Sequence, residues 1–211
     1  DDIKTFDSYN KAIRMSAEAG LKEFSNYLLY NFMDQPIDLY KRLRINVELC
    51  DELNVNIYSF PMKYHPIRKG KCDADDYSHN RDYIGKHWNR KYIRAVQAIL
   101  NSTKGKIGRG MSFFLEAFGS TEEEYFELLE MPETFILYRF FFKWLDEKGS
   151  MGTDHWRTCW CHCMRTLDEV EKQNVLDIIH RNVFSQEEID TVTSEDALTL
   201  LNFYTNYRKD I

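Results

Sequence analysis

The chain has 211 residues, with 28 Lys and Arg against 34 Asp and Glu, a formal net charge of −6, 43% hydrophobic and 15% aromatic residues. That composition excludes extended disorder and suits one large or two small folded domains. No apolar run reaches the roughly eighteen residues of a membrane span and no signal-peptide pattern precedes the first helix. The acidic balance argues against a general nucleic-acid binder, and five cysteines without framework spacing fit a reducing cytoplasm.

The first predicted element is a helix with Asp7 as cap, Tyr9, Ile13 and Ala17 as its apolar stripe and Gly20 as its stop. The stretch 21–67 follows and organises the rest, reading as strand, loop, helix, strand. Tyr, Leu and Phe make 23–32 a strand that stops at Met33-Asp34-Gln35-Pro36, where a capping Asp precedes a Pro tolerated in a helix's first turn. A helix therefore begins near Gln35, with Tyr40, Leu43, Val47, Cys50 and Leu53 on one stripe. After Asn54 the period becomes two, with Val55 and Ile57 on one side and Asn56, Tyr58, Phe60 and Met62 on the other, until Pro61 and Pro66 end the run. Two strands joined by such a helix predict a right-handed parallel βαβ unit. Parallel strands need both faces covered and further members on each side, so the unit reads as the back part of a larger α/β domain.

The run from Asn26 to Pro36, NYLLYNFMDQP, with its helix and then Tyr58-Ser59-Phe60-Pro61-Met62, resembles the late strands of the partial TIM barrel in radical S-adenosylmethionine enzymes related to the cobalamin-binding type. In that alignment Leu28 and Tyr30 stand where the family often has Ile and Gly, and Asn31-Phe32-Met33-Asp34 replaces an FPGE-like run. The resemblance continues more thinly through 81–90 and 105–110. It implies the C-terminal part of a partial (β/α) barrel over 1–67, a linker loop over 68–80 and a mainly α-helical C-terminal domain over 81–211. It also implies S-adenosylmethionine and a four-iron four-sulfur cluster in the intact protein, with a missing N-terminal barrel half as partner. Asn26, Leu28, Tyr30, Tyr58, Phe60 and Met62 are then the expected cofactor wall, with Leu28 and Tyr30 bordering the adenosine. The cluster requires C-x-x-x-C-x-x-C. No such spacing exists in this sequence, so the cluster loop is expected upstream of Asp1 and the chain alone is not competent for radical initiation.

Between 62 and 110 the charge reverses. The stretch begins as a loop over 68–80 carrying Cys72, and continues as a predicted helix over 82–101 with Ile84, Trp88, Tyr92, Val96 and Ile99 buried. Lys86, Arg90 and Arg94 fall at intervals of four and form a basic ridge. Together with Lys104, Lys106 and Arg109 they are the expected anion-binding residues, suited to a nucleic acid or a phosphorylated ligand; the competing reading is a solvated helix face. The glycine-rich turn at 102–112 approaches a phosphate loop, but Met111 replaces its Lys and a helix precedes it, so the glycines chiefly stop one helix and start the next at 111–118.

Beyond Gly119 the sequence is helical. Ser120 to Glu123, Thr166 to Glu169 and Ser185 to Glu188 read as capping boxes, and Ser194 as a weaker cap. The aromatic run at 132–148 predicts a central buried helix, or part of a contact with the missing barrel. In 153–164, His155, Cys159 and Cys163 recur along one helical face; three such ligands span about 12 Å, too far for one ion, and ordinary burial competes with a metal site. A closing helix over 195–207 packs Leu198, Leu201, Phe203 and Tyr204. Two functions remain: the C-terminal part of a radical enzyme, or a noncatalytic helical module binding nucleic acid or another polyanion.

Overall fold

Alternating side chains at 23–30 and 56–63 and a 3.6-residue period between them give two strands around a helix. The computed structural model describes residues 3–66, 82–105 and 107–205; the 68–80 linker with Cys72, and Lys106, lie outside them. In chain order the elements are α1 (Phe6–Glu18), β1 (Glu23–Tyr30), α2 (Pro36–Leu53), β2 (Asn56–Lys63), α3 (Arg90–Ser102), α4 (Met111–Phe118) and α5 (Glu122–Glu130). They continue with α6 (Glu133–Leu137), α7 (Arg139–Glu147), α8 (Thr153–Thr166), α9 (Glu169–Arg181), α10 (Gln186–Ile189) and α11 (Glu195–Thr205). The fold is mixed α/β, mostly helical, with a two-stranded parallel sheet among the described residues. The chain divides into two units, residues 1–89 with 103–125 and residues 90–102 with 126–211. Residues 103–125 thus return to the first unit after α3.

In the first unit β1 and β2 pair in parallel, in register from Glu23 opposite Asn56 to Tyr30 opposite Lys63. α2 starts where Pro36 predicts, but Gln35 and not Asp34 is its cap: the Gln35 amide donates to Asp38 Oδ2 at 2.8 Å in a reciprocal capping box. Asn54 ends the helix in the left-handed region, which Asn tolerates. Leu39, Leu43, Val47 and Cys50 of α2 are buried. Tyr9, Ile13 and Ala17 of α1 pack as expected on Leu49, Cys50, Val55 and Ile57, although Thr5 occupies the α1 cap position in place of Asp7. β2 runs on through Pro61 to Lys63, contrary to the expected stop, since an edge strand tolerates a residue without an N–H. Its free side gains one antiparallel bridge, with the Ser59 amide donating to Ile107 O at 2.7 Å and the Ile107 amide returning to Ser59 O at 3.0 Å.

The second unit is helical. α3 packs on α6 and α9, and α11 on α8 and α9, burying Val96, Ile99, Phe135, Ile136, Trp156, Val175, Ile178 and Leu200. α3 opens at Arg90, eight residues later than predicted, and Ile84 is exposed. The run 132–148 is not one buried helix. It breaks at Tyr138 (φ −111°, ψ 34°) into α6 and α7, and Tyr138, Phe140, Phe141 and Trp144 are exposed while Phe135, Ile136 and Phe142 are buried. Ser185 and Ser194 cap as predicted, accepting from the amides of Glu188 and Ala197. The Thr166 box is displaced: Asp168 accepts from the amides of Val170 and Glu171 and starts α9. The box at α5, in the stretch joining the units, shifts by one, with Thr121 Oγ1 accepting from the Glu124 amide and Glu124 from Ser120.

Candidate functional site at the end of the parallel sheet

In a parallel pair, directly opposed residues project to the same face. Asn26 stands opposite Ser59, Leu28 opposite Pro61 and Tyr30 opposite Lys63. Phe24, Asn26, Leu28 and Tyr30 therefore share a face with Ile57 and Ser59, the face that α1 and α2 cover: the Asn26 amide donates to Tyr9 Oη (2.9 Å), Tyr9 to Asn46 (2.8 Å) and Asn46 to Ser59 Oγ (2.8 Å). Burial pushes the Tyr9 phenol up to about 12, with the Asn26 hydrogen bond opposing. Tyr58, Phe60 and Met62 belong to the opposite face with Ser25, Tyr27 and Leu29. The six expected wall residues consequently divide between two faces. The open face carries Tyr27, 68% exposed and 5.8 Å from the Phe60 ring, and exposed Met62.

Where β1 ends, Asn31 adopts φ 70° and is fully buried. Its Oδ1 accepts from the Gly85 amide at 2.8 Å, and its Nδ2 donates to Tyr64 O (3.3 Å) and Tyr83 O (3.1 Å), so one side chain ties three segments together. Gly85 is required there: a Cβ would meet Phe32 O at 2.5 Å. Asp34 accepts from the Phe32 amide at 2.8 Å and pairs with Arg42 at 3.3 Å, both side chains being nearly buried. Arg42 also donates to Leu29 O and Asp38 O at 3.0 Å. Burial raises the Asp34 carboxyl above its ordinary value, against the Phe32 amide and Arg42, which lower it. The Trp88 indole donates to Asp34 O at 2.9 Å and its ring lies 5.4 Å from that of Tyr30.

These contacts form a fixed polar floor. Beside it Phe32 and Tyr64 stand 4.5 Å apart and Tyr83 meets Tyr64 edge-on at 5.6 Å, while Met33, Ile84, Lys86 and His87 in the same two segments are exposed. Aromatic side chains beside a hydrogen-bonded network, at the carboxyl ends of parallel strands, lie where open α/β sheets place ligands. Sequence reasoning quoted Asn31, Asp34 and the 81–90 run but assigned no structural role to Asn31, Arg42 or Gly85; the signal was an Asn between an aromatic strand and an Asp-x-Pro start.

The expected basic ridge does not exist as a helix face. Lys86 lies in a turn ahead of α3, while Arg90 and Arg94 lie on it. Arg94 holds Glu133 at 2.6 Å, and Arg109 is engaged by Asp51 at 3.5 Å and Asn54 at 2.9 Å. Lys104 is exposed in the turn after α3, with φ 58°. On α8, Cys163 is buried with its thiol toward Asp196 O at 3.4 Å, and burial pushes it up to about 11. His162 pairs with Asp196 (3.0 Å), His155 stacks edge-on against Phe203, and Cys161 is exposed. Among the described residues, no three His, Cys, Asp or Glu side chains are placed to hold a metal ion, and no helix is long and apolar enough to cross a membrane. Protein-family models, curated proteins and solved structures yield no match to this chain.

Proposed function

We propose that this chain is the C-terminal portion of a cytoplasmic radical S-adenosylmethionine enzyme related to the cobalamin-binding type. The observation that supports it is the sheet: β1 and β2 are parallel, α1 and α2 cover one face, and on the other face Tyr27 and Met62 are exposed and Phe60 is half-buried among the described residues. In a (β/α) barrel helices lie outside and the other strand face looks inward, so the inner wall is Ser25, Tyr27, Leu29, Tyr58, Phe60 and Met62. Asn26, Leu28 and Tyr30 hold the helical layer instead. Apolar and aromatic side chains at that wall fit the flank of a nucleoside, and the Asn31 and Asp34 floor fixes the strand ends beneath it.

The residues here do not fit the iron–sulfur cluster. Cys50 is buried with its sulfur accepting from the Ile57 amide at 3.1 Å, and Cys159, Cys161 and Cys163 lack the required spacing. Radical initiation by cluster and S-adenosylmethionine therefore belongs to the missing barrel half, and this chain contributes wall, floor and the helical unit that meets substrate or partner. The polyanion-binding alternative is not favoured, because Lys86 lies outside the helix that carries Arg90 and Arg94, so the three form no continuous ridge, and Arg109 is engaged by Asp51 and Asn54.

The test is S-adenosylmethionine binding to the intact, cluster-loaded protein by calorimetry. Phe60→Asp places a charge on the inner wall and should weaken binding tenfold or more, whereas Asn26→Asp, on the helical face, should leave the affinity of the folded protein unchanged. Unchanged affinity in Phe60→Asp with intact circular dichroism overturns the assignment. So does a reading frame upstream of Asp1 that contains no C-x-x-x-C-x-x-C.

A further inference from the structure

The second unit contains a cavity of about 340 Å³, lined by residues of α3, α6, α11 and the segment after α9. Its size lies at the lower end of the roughly 300–1,000 Å³ of small-molecule sites, which limits an occupant to a small compound or one side chain. One side is apolar: Phe203, Leu137 and Pro132, with Phe184 stacked on Tyr204 at a centroid distance of 5.6 Å and 13° between planes. A flat ring fits against such faces. The other side is polar, with Lys91, Arg94, Glu133, Thr134 and Asn182.

The polar side is held from behind. Lys91 is 1% exposed, and its ammonium donates to Leu129 O (2.8 Å) and Met131 O (2.6 Å), the carbonyls at the end of α5. Tyr204 donates to Glu130 O at 2.7 Å and accepts from the Trp156 indole at 3.2 Å. Glu133 receives the Nε and one terminal nitrogen of Arg94, at 3.1 and 2.6 Å, and Asn182 Nδ2 at 3.4 Å. The remaining terminal nitrogen of Arg94, Nη1, makes no hydrogen bond to the described residues, and its two N–H groups are directed by a guanidinium already locked in position. Among the described residues the lining holds two cations, Lys91 and Arg94, and one carboxylate, Glu133, a balance that suits an anion.

The geometry points to a second binding site here, independent of the sheet, for a small molecule with a flat apolar body and one carboxylate, the ring against Phe184 and Phe203 and the carboxylate on Arg94 Nη1. The site selects by charge at one end and by shape at the other.

The test uses the full chain and three probes, phenylacetate, phenylacetamide and acetate, followed by saturation-transfer and titration NMR. Phenylacetate should bind at least tenfold more tightly than the neutral amide or acetate. Leu137→Trp, which fills the cavity from a half-buried position, should abolish binding. Arg94→Lys should retain part of the preference for the anion, and Arg94→Gln should erase it. Because Arg94→Gln also breaks the Glu133 pair, its fold is checked by circular dichroism, and Leu137→Trp decides the matter if it is unfolded. Equal binding of acid and amide, no binding of phenylacetate at millimolar concentration, or unaltered binding in folded Leu137→Trp overturns the proposal.

Discussion

Asp34 shows how a single carboxylate is spent on architecture. Its oxygens take the Phe32 amide and the Arg42 guanidinium, its carbonyl takes the Trp88 indole, and its charge is nearly out of water. Desolvation outweighs both stabilising contacts and raises the carboxyl. The folded state therefore binds this proton more tightly than the unfolded state does. Asp34's contribution to stability is fully present below its ordinary pKa near 4 and is lost as pH rises through the raised folded value. Asp34→Asn keeps an acceptor for Phe32 and removes the titration, while Arg42 retains Leu29 O and Asp38 O. In urea unfolding at a series of pH values, wild type should lose stability relative to Asp34→Asn as pH increases from about 4. A difference that is flat with pH, or that grows in favour of wild type, contradicts the sign.

At the scale of elements, what was legible was local. The stripes of α1 and α2, the alternation within β2 and the caps at Ser185 and Ser194 depend on residues a few positions apart, and they fold as the sequence reads. The start of α3 does not, because Gly85 and Trp88 are claimed by Asn31 and by Asp34 O, contacts across 54 residues that override the helical period of 82–89. The six residues expected on one wall divide between two faces for a related reason: alternation gives two faces for each strand, but only the register, Asn26 opposite Ser59, says which faces match. In 132–148 hydrophobicity all round hid a break. Once Tyr138 leaves the helix, Phe142 points inward to Phe135 at 4.2 Å and Phe140 points outward, 79% exposed. Phe142→Ala should cost about 3–4 kcal/mol in urea unfolding, and Phe140→Ala about 0.5 kcal/mol or less. Similar losses at both positions would mean that the two rings are equally buried in solution and that α7 faces differently.

For the molecule as a whole, two apolar surfaces lie uncovered by the described residues, one in each unit: the open sheet face of Tyr27 and Met62, and the α7 face of Tyr138, Phe140, Phe141 and Trp144. Large exposed aromatic patches mark contact surfaces, and beside the first the outer edge of β1 pairs with no further strand among the described residues. Under the proposed barrel reading the sheet face would meet the barrel interior and the α7 face would belong to a contact with the rest of the barrel. The isolated chain should therefore self-associate, and a net charge of −6 opposes this only weakly once salt screens it. Light scattering over a concentration series should show mass rising above the monomer, more steeply at higher salt. Tyr27→Lys with Met62→Lys, and separately Phe140→Lys with Trp144→Lys, should each return mass toward the monomer to the extent that its face carries the contact, without loss of helical circular dichroism. A wild-type chain that stays monomeric at every concentration and salt would show that neither face drives association, and would remove the open sheet face as support for a barrel wall.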